Sequence, residues 1–308
     1  MKNHNHTTLP KGRDIPLLLV GILGIGSSGP LVAKSAMSIP TIIFFRNLGG
    51  ALIMVPFAFM NGEWKVASNR RALMMSGVAG VLLGIHFIVF FAAMRFTSVA
   101  TGTALAAMQP IFAALYMKFK GAEISTRSFA GMLIALLSLF LITGVDFSLS
   151  TRAFMGDLFG ISSGAFAAAY VIIGSNVQKT ISTSTYTTVC YTFCALTGLV
   201  VALVTGSPLL HFPAAQWLYL AGLLLGAQVL GHTLFNLTLK RVSPVIVSLL
   251  VFFEVPVAGF IAWIWLNQKP PLGTVPGIIG LLLGCAIFVM PTKSIDESPD
   301  RTLGNAHD

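Results

Sequence analysis

Two stretches that resemble each other decide the fold: GVLLGIHFIVFFAAMR at residues 80–95 and GAQVLGHTLFNLTLKR at residues 226–241. They are related by a shift of 146 residues, the distance from position 80 to position 226. Applied without gaps, the shift aligns Gly80 with Gly226, His86 with His232, Arg95 with Arg241, Pro110 with Pro256 and Gly131 with Gly277. These residue types punctuate helices, so the register predicts an internal repeat.

The composition predicts that the lipid bilayer is the main solvent. The 308 residues are 55% hydrophobic and 9% charged, with a mean hydropathy of +0.85. A water-soluble domain of this size needs a more highly charged surface. The net charge of +9 would suggest nucleic acid in a soluble protein, but here most Lys and Arg lie in short connections between apolar runs. This distribution indicates membrane topology and argues against a nucleic-acid partner.

The apolar runs predict an all-α membrane protein with ten transmembrane helices. A hydrocarbon core of about 30 Å requires about 20 apolar residues in a helix. Suitable runs lie near residues 16–34, 39–60, 72–94, 98–118, 128–144, 153–177, 182–205, 215–239, 243–267 and 271–291.

The ten spans divide into two five-helix repeats. The predicted units are a tail at 1–15, a first repeat at 16–144, a second repeat at 153–291 and a tail at 292–308. Because five is odd, the second repeat must enter the membrane from the opposite side, so the repeats are expected to be inverted. Most Lys and Arg fall on the side of the termini. The positive-inside rule then predicts cytoplasmic termini in a bacterial-type plasma (inner) membrane.

Inverted repeats are typical of secondary transporters, because two equivalent halves can exchange roles and open toward either face. The sequence therefore predicts alternating access for a small-molecule substrate. A duplicated scaffold with another task is the alternative reading.

Several motifs resemble the EamA-like branch of the drug/metabolite transporter superfamily. They are residues 90–105 and 108–110, then 121–123, 243–256 and Gly277, together with residues 27–34 and Arg46. The resemblance covers residues 16–291 and implies ten helices, cytoplasmic termini, a central cavity and export of amino acids, metabolites or drugs.

Two positions depart from the family pattern. Residues 267–269, Asn-Gln-Lys, replace the acidic residue expected after the ninth span, and Gly26 stands where an aromatic residue often precedes the serines of the first span. The first departure weakens any role for an acid in that loop.

The paired histidines are candidate substrate ligands. Each lies nine residues before an arginine that anchors a membrane face, which places His86 and His232 about 13 Å from their interfaces and therefore near the midplane. His86 shares a helical face with Phe90, and His232 shares one with Asn236. One half is thus expected to offer an aromatic surface and the other a polar one, which suits an amphipathic solute. Packing as ordinary core histidines is the alternative.

Charged residues inside spans are costly and usually mark a pathway or a partner pair. Glu254 is the acidic residue deepest in a span, so it is the candidate for exchanging a proton during transport, with a purely structural glutamate as the alternative. Arg46 lies about two turns into the second span, where it either attracts a carboxylate or phosphate or extends to the headgroups. Gln109 and Tyr170 are further candidates for the lining.

Pro110 and Pro256 occupy equivalent positions inside the fourth and ninth spans. Proline removes an amide hydrogen bond within a helix, and membrane helices use such breaks for bending. The pair is therefore predicted to mark gating helices, with a fixed packing kink as the alternative.

Other classes are less well supported by the sequence. No HExxH motif, no close pair of carboxylates inside the spans and no Walker A motif is present, which argues against an intramembrane enzyme and against ATP-driven pumping. Neither a cofactor nor a metal is expected, since Cys190, Cys194 and Cys285 lie in apolar segments without paired CxxC motifs. An intramembrane enzyme and a flippase for lipid-linked metabolites remain alternatives. Small residues at Gly277, Gly280 and Gly284 suggest close packing against a neighbouring helix or in a homodimer.

Overall fold

A computed structural model describes residues 9–65, 69–97, 99–121, 124–143, 151–269 and 272–289. All regular structure in these ranges is helical, which confirms the all-α prediction. The first half of the chain contains α1 (Asp14–Gly26), α2 (Ser28–Lys34), α3 (Ile39–Asn61), α4 (Arg70–Phe96), α5 (Val99–Ala106), α6 (Gln109–Phe119) and α7 (Thr126–Thr143). The second half contains α8 (Thr151–Val177), α9 (Thr183–Val204), α10 (Ala214–Gly222), α11 (Leu234–Thr238), α12 (Pro244–Leu250), α13 (Glu254–Leu266) and α14 (Thr274–Val289). A π-helix runs from Leu223 to Thr233 between α10 and α11, and short 3-10 helices cover Glu63–Lys65 and Val251–Phe253.

Seven segments of the described chain are long and apolar enough to cross a bilayer, so the protein is a multi-pass membrane protein. They are Asp14–Lys34, Ile39–Met60, Arg70–Phe96, Phe154–Val177, Thr183–Val204, Ala214–Thr238 and Pro244–Leu266. The predicted fifth and tenth spans correspond to the shorter apolar helices Thr126–Ile142 and Thr274–Phe288, and the predicted fourth span is divided into α5 and α6. The total of ten spans therefore stays a prediction. The tail at 292–308 and residues 1–8 lie outside the described residues.

The two halves interlock along their length. The most extensive helix contacts join α3 to α9, α4 to α8 and α9, α7 to α14, and α1 to the π-helix, and each of these pairs crosses between the halves. One contact is made by backbone: a Cβ added at Gly24 of α1 would lie 2.6 Å from the Gly226 carbonyl oxygen. Only glycine fits there, because a backbone atom cannot move aside as a flexible side chain can.

The fourth and ninth predicted spans are interrupted at equivalent positions. α5 ends at Ala106 and α6 begins at Gln109, while the 3-10 turn Val251–Phe253 separates α12 from α13. Pro110 is the second residue of α6, and Pro256 is the third residue of α13. Proline is accommodated in the first turn of a helix, so each proline lies where a helix begins again after the interruption. The prolines start new helices, and their gating role stays a prediction.

The small residues of the last helix are occupied within the chain. A Cβ at Gly277 would lie 2.7 Å from Ile142 of α7, and one at Gly284 would lie 2.5 Å from the backbone nitrogen of Ala135. Close packing against a neighbouring helix explains the motif, so it gives no support to a homodimer, which stays a prediction.

A candidate substrate cavity between the two halves

An internal cavity of about 50 Å³ lies between helices of both halves. By the same measure about 10–15 Å³ accommodates one water molecule, so the cavity holds a few waters and a larger solute requires the helices to move. Its walls are mostly aliphatic and aromatic, with a few polar groups. The lining is formed by Ile25, Ser28, His86, Phe87, Phe90, Ala106, Gln109, Ala167, Tyr170, Val171, His232, Phe235, Asn236, Leu239, Val247, Val251 and Glu254.

Seven of the eight residues predicted from the sequence to contact substrate lie in this lining. They are His86, Phe90, Gln109, Tyr170, His232, Asn236 and Glu254. Arg46 is the exception. The structure therefore brings together residues from five separate predicted spans, although their role in binding is untested.

His86 is held firmly on one wall. It is 8% exposed, and its Nδ1 lies 3.0 Å from the Ser163 carbonyl oxygen and 2.9 Å from the Ser163 hydroxyl. Its ring also stacks on Phe90, with centroids 5.5 Å apart. These contacts fix the ring plane, so Nε2 is the atom left to meet a solute. Ser163 was not predicted as a site residue, although the repeated Ser-Ser-Gly at 27–29 and 162–164 was the signal that could have found it.

His232 is held more loosely in the π-helix. Its ring contacts the edge of Phe87 at 5.1 Å and Tyr170 at 6.3 Å, and it makes no hydrogen bond to a side chain or carbonyl within the described ranges. Ser28, the counterpart of Ser163 in the Ser-Ser-Gly repeat, also lines the cavity, but its hydroxyl has no partner among the residues described. Both nitrogens of the His232 ring are thus available to a solute.

Asn236 links the π-helix to α8. Its Nδ2 donates to the Tyr170 hydroxyl and, at 2.9 Å, to the His232 carbonyl oxygen. Its Oδ1 is buried and has no donor in the described part of the chain. The orientation of the Asn236 amide is therefore fixed by two donated bonds, and its Oδ1 is an acceptor with unmet bonding capacity beside the cavity.

Two helix N-termini meet at the cavity. Gln109 begins α6 and donates from Nε2 to the Ser248 hydroxyl at 2.7 Å, and Glu254 begins α13 with only 9% of its surface exposed. The positive end of a helix dipole stabilises a carboxylate, so the position of Glu254 partly offsets the cost of its charge. No ion pair of Glu254 is present among the described residues.

Arg46 lies behind the cavity wall. It is 0% exposed, so extension of its side chain to the headgroups is wrong, and its guanidinium carbon lies 4.2 Å from the centroid of Phe87. None of its side-chain nitrogens has a hydrogen-bond acceptor among the described residues. A cation–π contact contributes about 0.5–2 kcal/mol, whereas burying an ion costs several kcal/mol. Aromatic contact alone does not offset burial of this charge.

Two hydrogen-bonded contacts, which we call the Glu63 latch and the Gln216 latch, join the halves at their ends. In the Glu63 latch, Ser182 at the start of α9 donates from its backbone nitrogen (2.8 Å) and its hydroxyl (2.6 Å) to the Glu63 carboxylate. In the Gln216 latch, the Ala36 backbone nitrogen donates to Gln216 Oε1 at 2.7 Å. The latches lie at opposite ends of α3, whose 23 residues span about 35 Å.

The Glu63 latch is charged. Partial burial acts to raise the pKa of Glu63, but hydrogen bonds from Ser182 and Thr185 hold it below its usual value. The Gln216 latch has a neutral amide at the corresponding place. Neither latch was predicted from the sequence, because a lone loop glutamate and a lone glutamine carry no pattern.

The arginines predicted to anchor membrane faces also bond to residues at or just before the beginnings of other helices. Arg241 pairs with Asp14 at 2.6 Å, at the first residue of α1. Arg95 donates to the Met37 carbonyl oxygen at 2.6 Å, just before α3 begins. Arg95 and Arg241 are equivalent in the repeat, and both therefore stabilise contacts between helices, although they bond to different partners.

Together, the helical fold, the membrane spans and a buried cavity between interlocking halves define a membrane protein of the solute-carrier type. The sequence profile of the EamA-like transporter family matches residues 13–144 and 154–290. The chain belongs to the EamA-like transporter family and is a membrane transporter.

Similar proteins agree with this assignment. The chain is 22% identical to the uncharacterized transporter YxxF of Bacillus subtilis over 91% of this chain and 90% of that protein. It is 25% identical to the pseudopaline exporter CntI of Pseudomonas aeruginosa over 83% and 88% of the two chains. A solved crystal structure with 15% identity superposes with a TM-score of 0.72, covering 91% of this chain and 98% of the other, which shows a shared fold.

Proposed function

We propose that the protein is a secondary transporter that exports small amphipathic metabolites, such as amino acids or drugs, by proton-coupled alternating access. The observation that carries the proposal is the cavity, where the equivalent residues His86 and His232 of the two halves meet Glu254. Aromatic walls with few polar groups suit a solute that has both an apolar body and polar ends. The relative named as a pseudopaline exporter supports export as the direction.

We further propose ten helices arranged as two inverted repeats, with units at 16–144 and 153–291. The interruptions before Pro110 and Pro256 fall in register with the 146-residue shift, which supports this arrangement. Contacts between equivalent helices, such as α3 with α9 and α7 with α14, are also those expected of halves related by a two-fold axis. Both termini are cytoplasmic in this arrangement, and the protein resides in the plasma (inner) membrane.

The two latches support alternating access. The Glu63 latch joins the segment after α3 to the loop before α9. The Gln216 latch joins the segment after α9 to the loop before α3. Because they lie at opposite ends of α3, breaking one and keeping the other opens the molecule toward one face only. Alternation between these states makes the cavity accessible first from one side of the membrane and then from the other.

Glu254 is the proposed proton carrier. Glu254 lines the cavity and is only 9% exposed, so a solute in the cavity lies beside its side chain. A buried carboxylate is unfavourable in its charged form, and the Arg46 guanidinium interacts with Glu254 electrostatically without forming an ion pair among the described residues, so proton uptake removes the remaining cost. Proton binding and solute binding are therefore coupled at Glu254.

The test uses purified protein in proteoliposomes with an imposed pH gradient. The probes are radiolabelled L-phenylalanine, L-histidine and L-leucine and the dye ethidium, which together sample amino acids and an aromatic cation. We expect saturable, gradient-driven flux of at least one probe. Glu254→Gln, a mimic of the protonated state, is expected to abolish gradient-driven accumulation but to retain solute exchange.

Asp157→Asn is the matched control, since Asp157 is an acid of α8 outside the cavity lining. It is expected to leave the flux unchanged. Full gradient-driven flux in the Glu254→Gln, His232→Ala double variant would remove the proposed site. Chemical conversion of a probe without any gradient would favour the intramembrane enzyme instead.

A further inference from the structure

The guanidinium of Arg46 is a buried cation without an acceptor. It lies on α3 with 0% exposure, and no group within the described ranges accepts a hydrogen bond from its three nitrogens. A guanidinium carries five N–H donors in a rigid fork. Buried polar groups are rarely left unpaired, and each exception calls for an explanation such as a bound ion or ligand.

Other unpaired polar atoms lie on α3 and on the π-helix that packs against it. Asn47 Oδ1 and both amide atoms of Gln228 are buried and without partners in the described chain. Gln228 packs against Gly50, one helical turn after Arg46, where a Cβ would lie 2.9 Å from the Gln228 Cγ. Positions 46 and 50 share a face of α3. Arg46 and Gln228 therefore share the side of α3 that faces the π-helix, and the bonding capacity of both side chains is unmet.

Phe87 stands between this group and the cavity. Its ring lies 4.2 Å from the Arg46 guanidinium carbon on one side and 5.1 Å from the His232 ring on another, and it also lines the cavity. A rotamer change of this one side chain would join the polar group to the cavity. Aromatic side chains change rotamer without any change of backbone hydrogen bonding, so such a movement is compatible with the intact helix.

We infer that Arg46 and Gln228 form a carboxylate-binding subsite that Phe87 closes off when the site is empty. The inference rests on the proposed transport function and deepens it by naming the substrate class, a solute with a carboxylate attached to an apolar body. Arg46 pairs with both carboxylate oxygens through its fork, and Gln228 Nε2 donates a further bond. The apolar body lies in the cavity against Phe90 and Tyr170.

Benzoate is a minimal probe of this subsite, and benzamide is its neutral counterpart of nearly equal shape. We would measure the melting temperature of the purified protein by tryptophan fluorescence, with sodium benzoate or with benzamide plus sodium chloride at the same concentrations. Binding to the folded state raises the melting temperature by mass action. We expect benzoate to stabilise the wild type by several degrees and benzamide with chloride to have little effect.

The variants assign the effect to Arg46. Arg46→Met is expected to lose the benzoate shift, whereas Arg152→Gln is expected to retain it, because Arg152 is an exposed arginine that rests on the ring of Phe96 away from the cavity. Gln228→Met is expected to require about tenfold more benzoate for the same shift. Should Arg46→Met fail to fold, Arg46→Lys, which keeps the charge but loses the fork, is expected to weaken the shift.

The inference would be overturned if benzoate did not raise the melting temperature of the wild type, or if the increase were undiminished in both Arg46 variants. An equal increase with chloride alone would also overturn it and would indicate a structural inorganic anion. The measurement needs neither gradient nor turnover. Normal flux without a benzoate shift would therefore contradict the subsite alone, and a benzoate shift without flux of any probe would contradict the transport proposal alone.

Discussion

The segments that carry the two histidines are equivalent in the sequence repeat but differ in structure. α4 is a continuous α-helix of 27 residues, whereas its counterpart changes from α10 to a π-helix of 11 residues before α11. His86 is bonded to Ser163 and stacked on Phe90, while His232 has only ring contacts in the described structure. Where α4 presents Phe90, the second half presents Asn236.

The difference indicates a division of labour between the halves. The first half supplies the fixed pair of His86 and Phe90, and the second supplies the less constrained His232 with Asn236, on a helix whose wider winding is frequent at functional sites. Glu254 also belongs to the second half, and the residue in register with it is Met108. The repeat thus accounts for the overall arrangement of the helices, and sequence divergence of the second copy accounts for the polar groups at Asn236 and Glu254.

The largest expected effect concerns the close packing of the π-helix. Gly24→Ala would place a methyl group against the backbone of Gly226 and Gly231, at 2.6 and 2.7 Å. We expect the free energy of unfolding to fall by about 1–3 kcal/mol, because neither backbone can yield. Thermal denaturation of the purified protein measures it.

The control lies on α4, the counterpart of the segment that contains the π-helix. Gly77→Ala on α4 meets only the ring of Phe193, at 3.3 Å, and a ring can shift by a few tenths of an ångström. It is expected to stay within about 0.5 kcal/mol of the wild type. Equal losses in the two variants would show that the π-helix is no more tightly constrained than α4.

A second, smaller effect separates the two histidines. His232→Ala is expected to reduce saturable flux about tenfold with little change in melting temperature, because the lost ring makes edge contacts with Phe87 and Tyr170 but no hydrogen bond among the described residues. His86→Ala is expected to lower the melting temperature, because it removes the Ser163 bond and the Phe90 stack. Flux and melting temperature are measured on both proteins, and the opposite assignment would reverse the comparison between halves.

The smallest effect concerns the two latches. The Glu63 pKa lies below its usual value, so this latch stabilises the closed face above the ordinary carboxyl pKa and loses strength as the pH falls through the lowered value. The Gln216 latch has no titrating group and should be unaffected. Hydrogen exchange of the loop at 178–182 is expected to rise about fivefold in Glu63→Gln at neutral pH, which corresponds to about 1 kcal/mol. Unchanged hydrogen exchange in the loop at 178–182, or an equal rise in the loop at 35–38, would contradict a stabilising role for the charged Glu63 latch.

Much of this arrangement is visible in the sequence. Hydropathy predicts the helices because apolar surface must face lipid, and the 146-residue register locates the paired histidines and prolines. The register could not predict the π-helix, because the equivalent segment of the first half is a continuous α-helix. Nor could it predict that Arg46 turns inward onto Phe87, since hydropathy gives the depth of a residue but not its direction.

Access to the cavity from each face tests the central claim most directly. Cys190, Cys194 and Cys285 are replaced by alanine, Ala106 on the cavity wall becomes cysteine, and a membrane-impermeant maleimide is added to either side of oriented vesicles. We predict labelling from both faces, enhanced from one face by Glu63→Gln and from the other by Gln216→Ala. Labelling from a single face in all three proteins, or enhancement at the same face by both variants, would contradict alternating access between two interlocking halves.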